Sequence, residues 1–270
     1  MSFAGLALVA AAAVGALMLA TWALSLVRRD ASLVDSVWGA GFALIAALGL
    51  ALGAGAPARR GLVAAMVVIW GLRLSLHIHR RNRGRGEDYR YRAMRERHGE
   101  RFGRVSLWTV FLLQGGLMLI VAAPILAAST APEPARLGPL DFAGLGVWLA
   151  GFLFEAIGDA QLARFKADPA HRGRVMDRGL WRYTRHPNYF GDALLWWGIF
   201  LPAAATPGGF ATAIGPALMT FLLVRVSGVA LLEKGLAQSK PGWREYVERT
   251  SAFVPWLPHR PRESGRAELP

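Results

Sequence analysis

The chain has no cysteine and little charge, with only 18% of its residues being Asp, Glu, Lys or Arg. Without cysteine it has no disulfide, no catalytic thiolate and no cysteine-ligated metal. It also lacks a strand-GxGxxG-helix unit, so a glycine-rich nucleotide-binding motif is not expected. In place of charge there are 54% hydrophobic residues and ten tryptophans. This composition is too apolar for an ordinary soluble domain and indicates an integral membrane protein.

The hydrophobic residues are gathered in seven blocks, and most blocks are long enough to cross about 30 Å of hydrocarbon as a helix. We therefore predict an all-α polytopic membrane protein with seven transmembrane helices in a single domain, residues 1–270. No basic segment precedes the first block, so we expect it to remain as a helix and not to be removed as a signal peptide. The predicted spans are 3–27, 33–53, 61–79, 107–128, 140–165, 189–204 and 210–233.

The basic residues are distributed unequally between the loops, which predicts the orientation of the chain. Of the 31 Lys and Arg residues, 26 fall on one side, in 28–29, 80–104, 164–185 and 234–266. The opposite side has only Arg59, Arg60 and Arg136. The positive-inside rule therefore places the N-terminus outside, with the basic loop 80–106 and the tail 234–270 in the cytoplasm. Topology and anionic lipid headgroups explain most of the net charge of +13, so we expect membrane lipids as partners and no nucleic acid.

The most informative segment is 179–198, which reads GLWRYTRHPNYFGDALLWWG. Pro187 disfavours helix at the residue before it, so a helix should begin near Asn188 or Tyr189. The free N–H groups of that helix would face the same water as Arg182 and Arg185. Together they are a candidate anion site for phosphate groups.

Asp192 lies about one turn inside the same helix. It could pair with an arginine or hold a sugar hydroxyl. In the alternative interpretation the arginines of this segment are interfacial anchors and Asp192 is half solvated.

A second polar set lies in FEAIGDAQLARFK, at the end of the fifth predicted span. Glu155 and Asp159 are four residues apart and so share one helix face, with Arg164 and Lys166 just beyond. Two neighbouring carboxylates could hold the ribose or amide groups of a nucleotide while the basic residues meet its phosphates. A metal site is not expected, because no histidine completes a ligand set on that face.

The basic loop 80–106 predicts a short helix over 87–98, where Glu and Arg residues are spaced for i,i+4 pairing. Two interpretations stay open. The helix could be a solvated amphipathic lid, or it could cap a cofactor phosphate through Arg83, Arg85 or Arg90.

These segments together resemble the bacterial membrane proteins related to steroid 5α-reductases. The resemblance extends over nearly the whole chain, through VDSVWGAGF, WGLRLSLHIHRRNRGRGEDYRYR, the two segments above and LLEKGLAQSKPGWREYVERTSAFVPW. It implies a seven-helix enzyme in a bacterial inner membrane, and we expect that enzyme to be monomeric. Such an enzyme binds NADPH from the cytoplasmic side and reduces the Δ4 double bond of a 3-oxo-steroid or a similar apolar enone.

 

The resemblance also implies which residues contact NADPH and which lie near the nicotinamide or the steroid entrance. The first set is Glu155, Asp159, Lys166, Arg182, Tyr183, Arg185, His186, Asn188, Asp192 and Arg225. The second set is Trp38, Trp70 and Arg73, with Asp35 as a candidate acid.

The chain departs from the eukaryotic reductases at the groups that grip the ketone. Those enzymes use a Gln-Glu pair on the second helix and a Tyr on the third, where this chain has Val34-Asp35 and Trp70. Hydride delivery to an enone builds negative charge on the carbonyl oxygen, so a donor is needed there. Asp35 could be that donor if burial keeps it protonated. Alternatively, it forms an ion pair with Arg73 or Arg28.

Two other classes of protein stay open. Membrane methyltransferases that use S-adenosylmethionine share an RHPxY element, but they carry two adjacent glutamates near the end of the last span, where this chain has Leu232 and Glu233. A lipid-binding or assembly factor is the non-enzymatic alternative. It would have no evident reason to keep charged residues inside its spans.

Overall fold

The computed structural model describes residues 1–226, 233 and 240–259, and within these ranges the chain is helical, without strands. Short 3₁₀ and π segments join or extend several helices. The α-helices are α1 (Phe3–Arg28), α2 (Leu33–Leu52), α3 (Pro57–Asn82), α4 (Tyr89–His98), α5 (Phe102–Ser106), α6 (Leu113–Val121), α7 (Ala123–Thr130), α8 (Pro139–Ala167), α9 (Pro187–Ala204), α10 (Ile214–Phe221) and α11 (Trp243–Arg249).

The described residues contain six helical segments that are long and apolar enough to cross a membrane. They confirm the all-helical prediction and the apolar character of six of the seven predicted blocks. The block predicted at 189–204 does form a helix, α9, but it is not among the six. Its apolar run is interrupted by Asn188, Asp192 and Pro202, which lower its hydropathy. The six segments are Phe3–Arg28, Leu33–Leu52, Pro57–Asn82, Tyr89–Val121, Pro139–Ala167 and Gly209–Val226.

The fourth predicted block, 107–128, is not one regular helix. A π-helix occupies Leu107–Leu112, and the helix is interrupted at Ala122, between α6 and α7. Pro124 explains the interruption, because it has no N–H to donate to the preceding turn. On its N-terminal side the segment continues back through α5 and a 3₁₀ turn to α4, so the helix predicted at 87–98 leads almost directly into the span.

Within the predicted single domain, the structure distinguishes two compact units. Unit 1 comprises Met1–Trp148 and Trp196–Leu218. In it, α2 and α3 cross with their backbones in contact at Gly39 and Gly71, where a Cβ on either residue would lie 2.3 Å from the carbonyl oxygen of the other. Small residues permit this close approach between membrane helices.

The core of unit 1 next to this crossing is aromatic. Phe42 contacts Trp38, Trp70 and Trp196, with ring centroids 5.2, 5.7 and 4.7 Å away. Such tilted and edge-to-face pairs are the favoured geometry for aromatic rings. The cluster therefore gives α2 and α3 a rigid, well-packed side.

Unit 2 comprises Leu149–Leu195 and Met219–Pro270. Here α8 and α9 approach closely at Gly151 and Gly191, where a Cβ on Gly191 would lie 2.4 Å from the backbone nitrogen of Glu155. About two turns beyond Gly151 on α8, Gly158 packs against Pro187 and the backbone of Asn188. This contact brings the acidic face of α8 to the start of α9.

Candidate functional site

The RHPN segment enters α9 as its proline predicts, because the helix begins at Pro187. Arg185, two residues earlier, is buried. Its Nε donates to Glu233 at 2.8 Å, and its Nη1 donates to the carbonyl oxygens of Thr250 at 2.6 Å and Val247 at 3.2 Å. The guanidinium is therefore held by protein groups, and its contact with a cofactor phosphate stays a prediction.

The buried ring of His186 lies beside the same carboxylate. Its Nε2 is 3.2 Å from Glu233 Oε1, and the ring stacks on Tyr189 at 5.6 Å between centroids. Arg185, His186 and Glu233 thus form one polar cluster at the start of α9. The sequence did not predict the pairing of Glu233 with the RHPN segment.

The C-terminal segment holds the backbone of the RHPN segment. The N–H of Arg185 donates to Ser251 O at 2.9 Å, and the N–H of Trp256 donates to Tyr183 O at 2.9 Å. Thr184 adds a side-chain bond to Phe253 O at 2.8 Å. No periodic sequence signal predicts these contacts, because they join residues more than sixty positions apart.

Tyr246 of α11 binds the chain just before the RHPN segment. Its hydroxyl donates to the carbonyl oxygen of Trp181, and the indole N–H of Trp181 donates to Gly158 O at 3.0 Å. Burial raises the pKa of the Tyr246 phenol, so the hydroxyl keeps its proton over the physiological pH range.

The carboxylates predicted to bind a nucleotide lie where α8 meets α9. Glu155, Asp159 and Asp192 are all buried. Asn188 Nδ2 donates to Asp159 Oδ1 at 3.1 Å, while the buried Oδ1 of Asn188 has no hydrogen-bond partner among the described residues. An amide oxygen in that position could accept from a hydroxyl or amide of a ligand. These four residues can therefore hold the polar parts of a nucleotide.

The other predicted cofactor residues are exposed. Arg182 and Tyr183 flank the buried pair on the RHPN segment, Lys166 ends α8, and Arg225 lies near the end of the described part of the last span. Exposed cations are suited to meet the phosphates of a ligand. The structure thus gathers Arg185, His186, Asn188, Asp159, Glu155 and Asp192 in one unit and leaves the remaining cations at its surface.

In unit 1, the carboxylate of Asp35 has two partners from the start of α4. Its Oδ2 accepts from Arg90 at 2.9 Å, and its Oδ1 accepts from the hydroxyl of Tyr91 at 2.7 Å. Gln114 Nε2 reaches the same hydroxyl at 3.4 Å. Asp35 therefore does form an ion pair, but its partner is Arg90, 55 residues later in the chain, which the sequence did not suggest.

The start of α4 is tied to the turn between α1 and α2. Glu87 accepts from the N–H of Ala31 at 2.8 Å and from Arg95 at 2.8 and 3.0 Å. Ser32 Oγ accepts from the N–H of Asp88 at 2.8 Å. Burial raises the pKa of Glu87, but the hydrogen bonds from Arg95 and Ala31 outweigh burial and lower it below 4.5. The helix predicted as a lid is thus fixed at its N-terminal end.

The remaining predicted catalytic residues lie on α2 and α3. Trp38 and Trp70 belong to the aromatic cluster, and Trp70 is completely buried. Arg73 is partly exposed, about one turn beyond Trp70. Tyr91 is the functional candidate that sequence reasoning missed. Its sequence signal was weak, because it is one of two tyrosines, Tyr89 and Tyr91, in a strongly basic loop.

The described helices identify the class of protein: it is helical, and six of its helical segments have the length and apolar character of membrane spans. It belongs to the family described as Protein of unknown function (DUF1295), whose model matches residues 21–250. That family is associated with steroid 5α-reductase-like proteins. An uncharacterized protein of Schizosaccharomyces pombe is 25% identical over 261 residues, which cover 87% of this chain and 76% of the yeast protein. No solved structure matches the chain.

Proposed function

We propose that this protein is an NADPH-dependent membrane reductase of an apolar enone, such as a 3-oxo-steroid with a Δ4 double bond. The observation that carries the proposal is the hydrogen bond from Asn188 to the buried Asp159. The buried Glu155 and Asp192 lie about one turn away on the same two helices. Carboxylates and a carboxamide are the groups that hold ribose hydroxyls and amides. The chain's family is associated with steroid 5α-reductase-like proteins, which also supports a reductase.

The cofactor would supply a hydride for the β-carbon of the enone. The protein must then stabilise the charge that develops on the carbonyl oxygen and provide a proton for the α-carbon, so that one C=C bond becomes a C–C bond. In unit 1, the hydroxyl of Tyr91 is positioned by Asp35 at 2.7 Å and is a candidate donor. Asp35, which already accepts from Arg90 and Tyr91, would orient that hydroxyl.

We propose a seventh span, α9, in addition to the six apolar segments. The orientation would place the N-terminus outside and the basic loops in the cytoplasm, following the charge distribution of the sequence. A bacterial inner membrane with the cofactor site facing the cytoplasm fits this arrangement. NADPH is favoured over NADH because the exposed cations Lys166, Arg182 and Arg225 can bind its extra phosphate.

The proposal is tested with the detergent-purified protein. NADPH, NADH and S-adenosylmethionine are added separately and the thermal shift is measured, and NADPH consumption is then followed with progesterone or testosterone. Stabilisation by NADPH together with steroid-dependent consumption supports the reductase. Stabilisation by S-adenosylmethionine alone would reassign the protein to the methyltransferases, in which the cluster of Glu233 with Arg185 and His186 would be the relevant feature.

Variants separate the two parts of the proposal. Asn188→Ala should weaken NADPH binding about five- to tenfold, and Asp192→Ala about ten- to a hundredfold, as expected for losing one neutral or one charged hydrogen bond. The exposed Glu248→Ala is the matched control and should bind NADPH normally. Unchanged NADPH affinity in both cluster variants would contradict the placement of the cofactor.

A further inference from the structure

Three large apolar side chains near the C-terminal end of the described chain are exposed. Val254, Trp256 and Leu257 are 58%, 67% and 73% exposed, although they lie within four successive residues. They belong to the segment 251–259, which follows α11 and has no regular secondary structure. A cluster of exposed apolar side chains marks a surface that another molecule or a membrane covers. We call these three residues the apolar patch.

Backbone hydrogen bonds fix the position of the apolar patch. The N–H of Trp256 donates to the carbonyl oxygen of Tyr183 at 2.9 Å, and the N–H of His259 donates to that of Arg249 at 2.9 Å. Both bonds lie within unit 2. The patch is therefore held against the chain that leads into α9 and against the end of α11, as part of the folded unit.

A row of aromatic rings defines how far along the helices this segment lies. Phe253, the residue before the patch, contacts Phe190 in the first turn of α9, with ring centroids 5.9 Å apart. Phe190 in turn contacts Phe154 of α8 at 5.5 Å.

The row meets α8 well before the end of that helix. Phe154 is thirteen residues before Ala167, the last residue of α8, which is about 20 Å at a rise of 1.5 Å per residue. Even if both ring contacts ran along the helix axis, they would reach only about 11 Å. Since α8 is a candidate membrane span, Phe253 and the patch lie beside the span and not beyond its end.

The composition of the segment suits the boundary between lipid and water. Pro255 and Pro258 have no N–H group, and the N–H groups of Trp256 and His259 are already hydrogen-bonded. Few backbone donors are therefore left that would need water, which the interior of a bilayer does not supply. Tryptophan is moreover enriched at the level of the lipid headgroups.

We propose that the apolar patch inserts into the membrane interface next to α8 and α9, so that the chain after α11 lies on the bilayer instead of in the cytosol. The partner is the lipid surface itself. Segments that do not cross a membrane bind its surface by burying apolar side chains at the headgroup boundary. Arg260 and Arg262 follow directly in the sequence, outside the described residues, and such cations attract anionic headgroups.

Because the chain has no cysteine, Val254→Cys and Leu257→Cys each introduce a single thiol that can carry an NBD fluorophore. Both side chains are exposed, so the substitutions remove little packing. Each labelled protein is placed in nanodiscs of phosphatidylcholine and phosphatidylglycerol, and quenching by a doxyl-labelled phospholipid and by aqueous iodide is measured. Glu248→Cys, at an exposed polar position of α11, is the matched control.

At positions 254 and 257 we expect doxyl quenching to be about threefold stronger than in the control and iodide quenching to be about threefold weaker, as for side chains in the interface. Iodide quenching equal to that of the control would place the patch in water. Protection from both quenchers would mean that a second copy or another protein covers it. Either result overturns the proposal. The measurement needs neither NADPH nor an enone, so its outcome is independent of the proposed reductase activity.

Discussion

At the scale of single residues, two buried arginines are paired with carboxylates. Arg59 and Asp141 form a fully buried pair at 2.8 Å, and the buried Arg185 pairs with the partly exposed Glu233 at the start of α9. Removing one member of such a pair leaves a buried charge without a partner, which is strongly destabilising. Exposed pairs contribute much less.

We therefore expect Glu233→Gln to lower the stability of the protein by about 1–3 kcal/mol, because Arg185 is buried and would lose its carboxylate. The measurement is the Tm in detergent. Glu248→Gln is the matched control, since it breaks an exposed pair with Arg244 and should cost no more than about 0.5 kcal/mol. Equal effects of the two substitutions would mean that Glu233 is not a partner of Arg185.

Tyr91→Phe tests the proposed donor. If the hydroxyl supplies the proton, kcat with an enone should fall at least about a hundredfold, while NADPH affinity stays close to normal. A matched loss of NADPH affinity would instead mean that the substitution disturbs the fold around Asp35.

At the scale of helices, close crossings depend on glycine. Gly71→Ala places a methyl group against the backbone of α2 and should destabilise the protein by about 1–3 kcal/mol. Gly61→Ala on the same helix meets nothing within 4 Å and should be neutral or slightly stabilising. Thermal unfolding of both variants in detergent distinguishes crowding from a general effect of alanine.

The contact between α4 and the α1–α2 turn should depend on pH. The lowered pKa of Glu87 contributes stability that is fully present above about pH 4.5 and is lost as the pH falls through the folded-state pKa. The Tm advantage of the native protein over Glu87→Gln should therefore be present at neutral pH and shrink below that range. Glu100→Gln, at an exposed position, should show no such change.

Hydropathy predicted most of the long helices but not their irregularities at 107–128, and it did not predict their polar partners. Hydropathy predicted α1, α2 and α8 to within a few residues, and Pro187 predicted the start of α9. It could not predict that Asp35 meets Arg90 and Tyr91, because tertiary pairing between distant loops leaves no repeating pattern. For the same reason the pairing of Arg185 with Glu233 was missed.

At the scale of the whole molecule, the seventh span and the orientation can be tested together. Ala135→Cys, Ala170→Cys and Pro207→Cys lie at exposed positions between successive helices, and each would be the only thiol in the chain. In intact cells an impermeant maleimide should label Cys at 135 and 207 but not at 170. Labelling of 170 and 207 on the same side would mean that α9 does not cross the membrane.

The C-terminal segment has a consequence for biosynthesis. Residues 246–256 supply the carbonyl groups and the tyrosine that hold the RHPN segment, although they are translated some sixty residues after it. While the ribosome is still making the last span, Arg185 has neither Glu233 nor Thr250 as a partner. The polar cluster can therefore assemble only after synthesis of the tail, and nascent chains arrested before residue 246 should insert their helices without it.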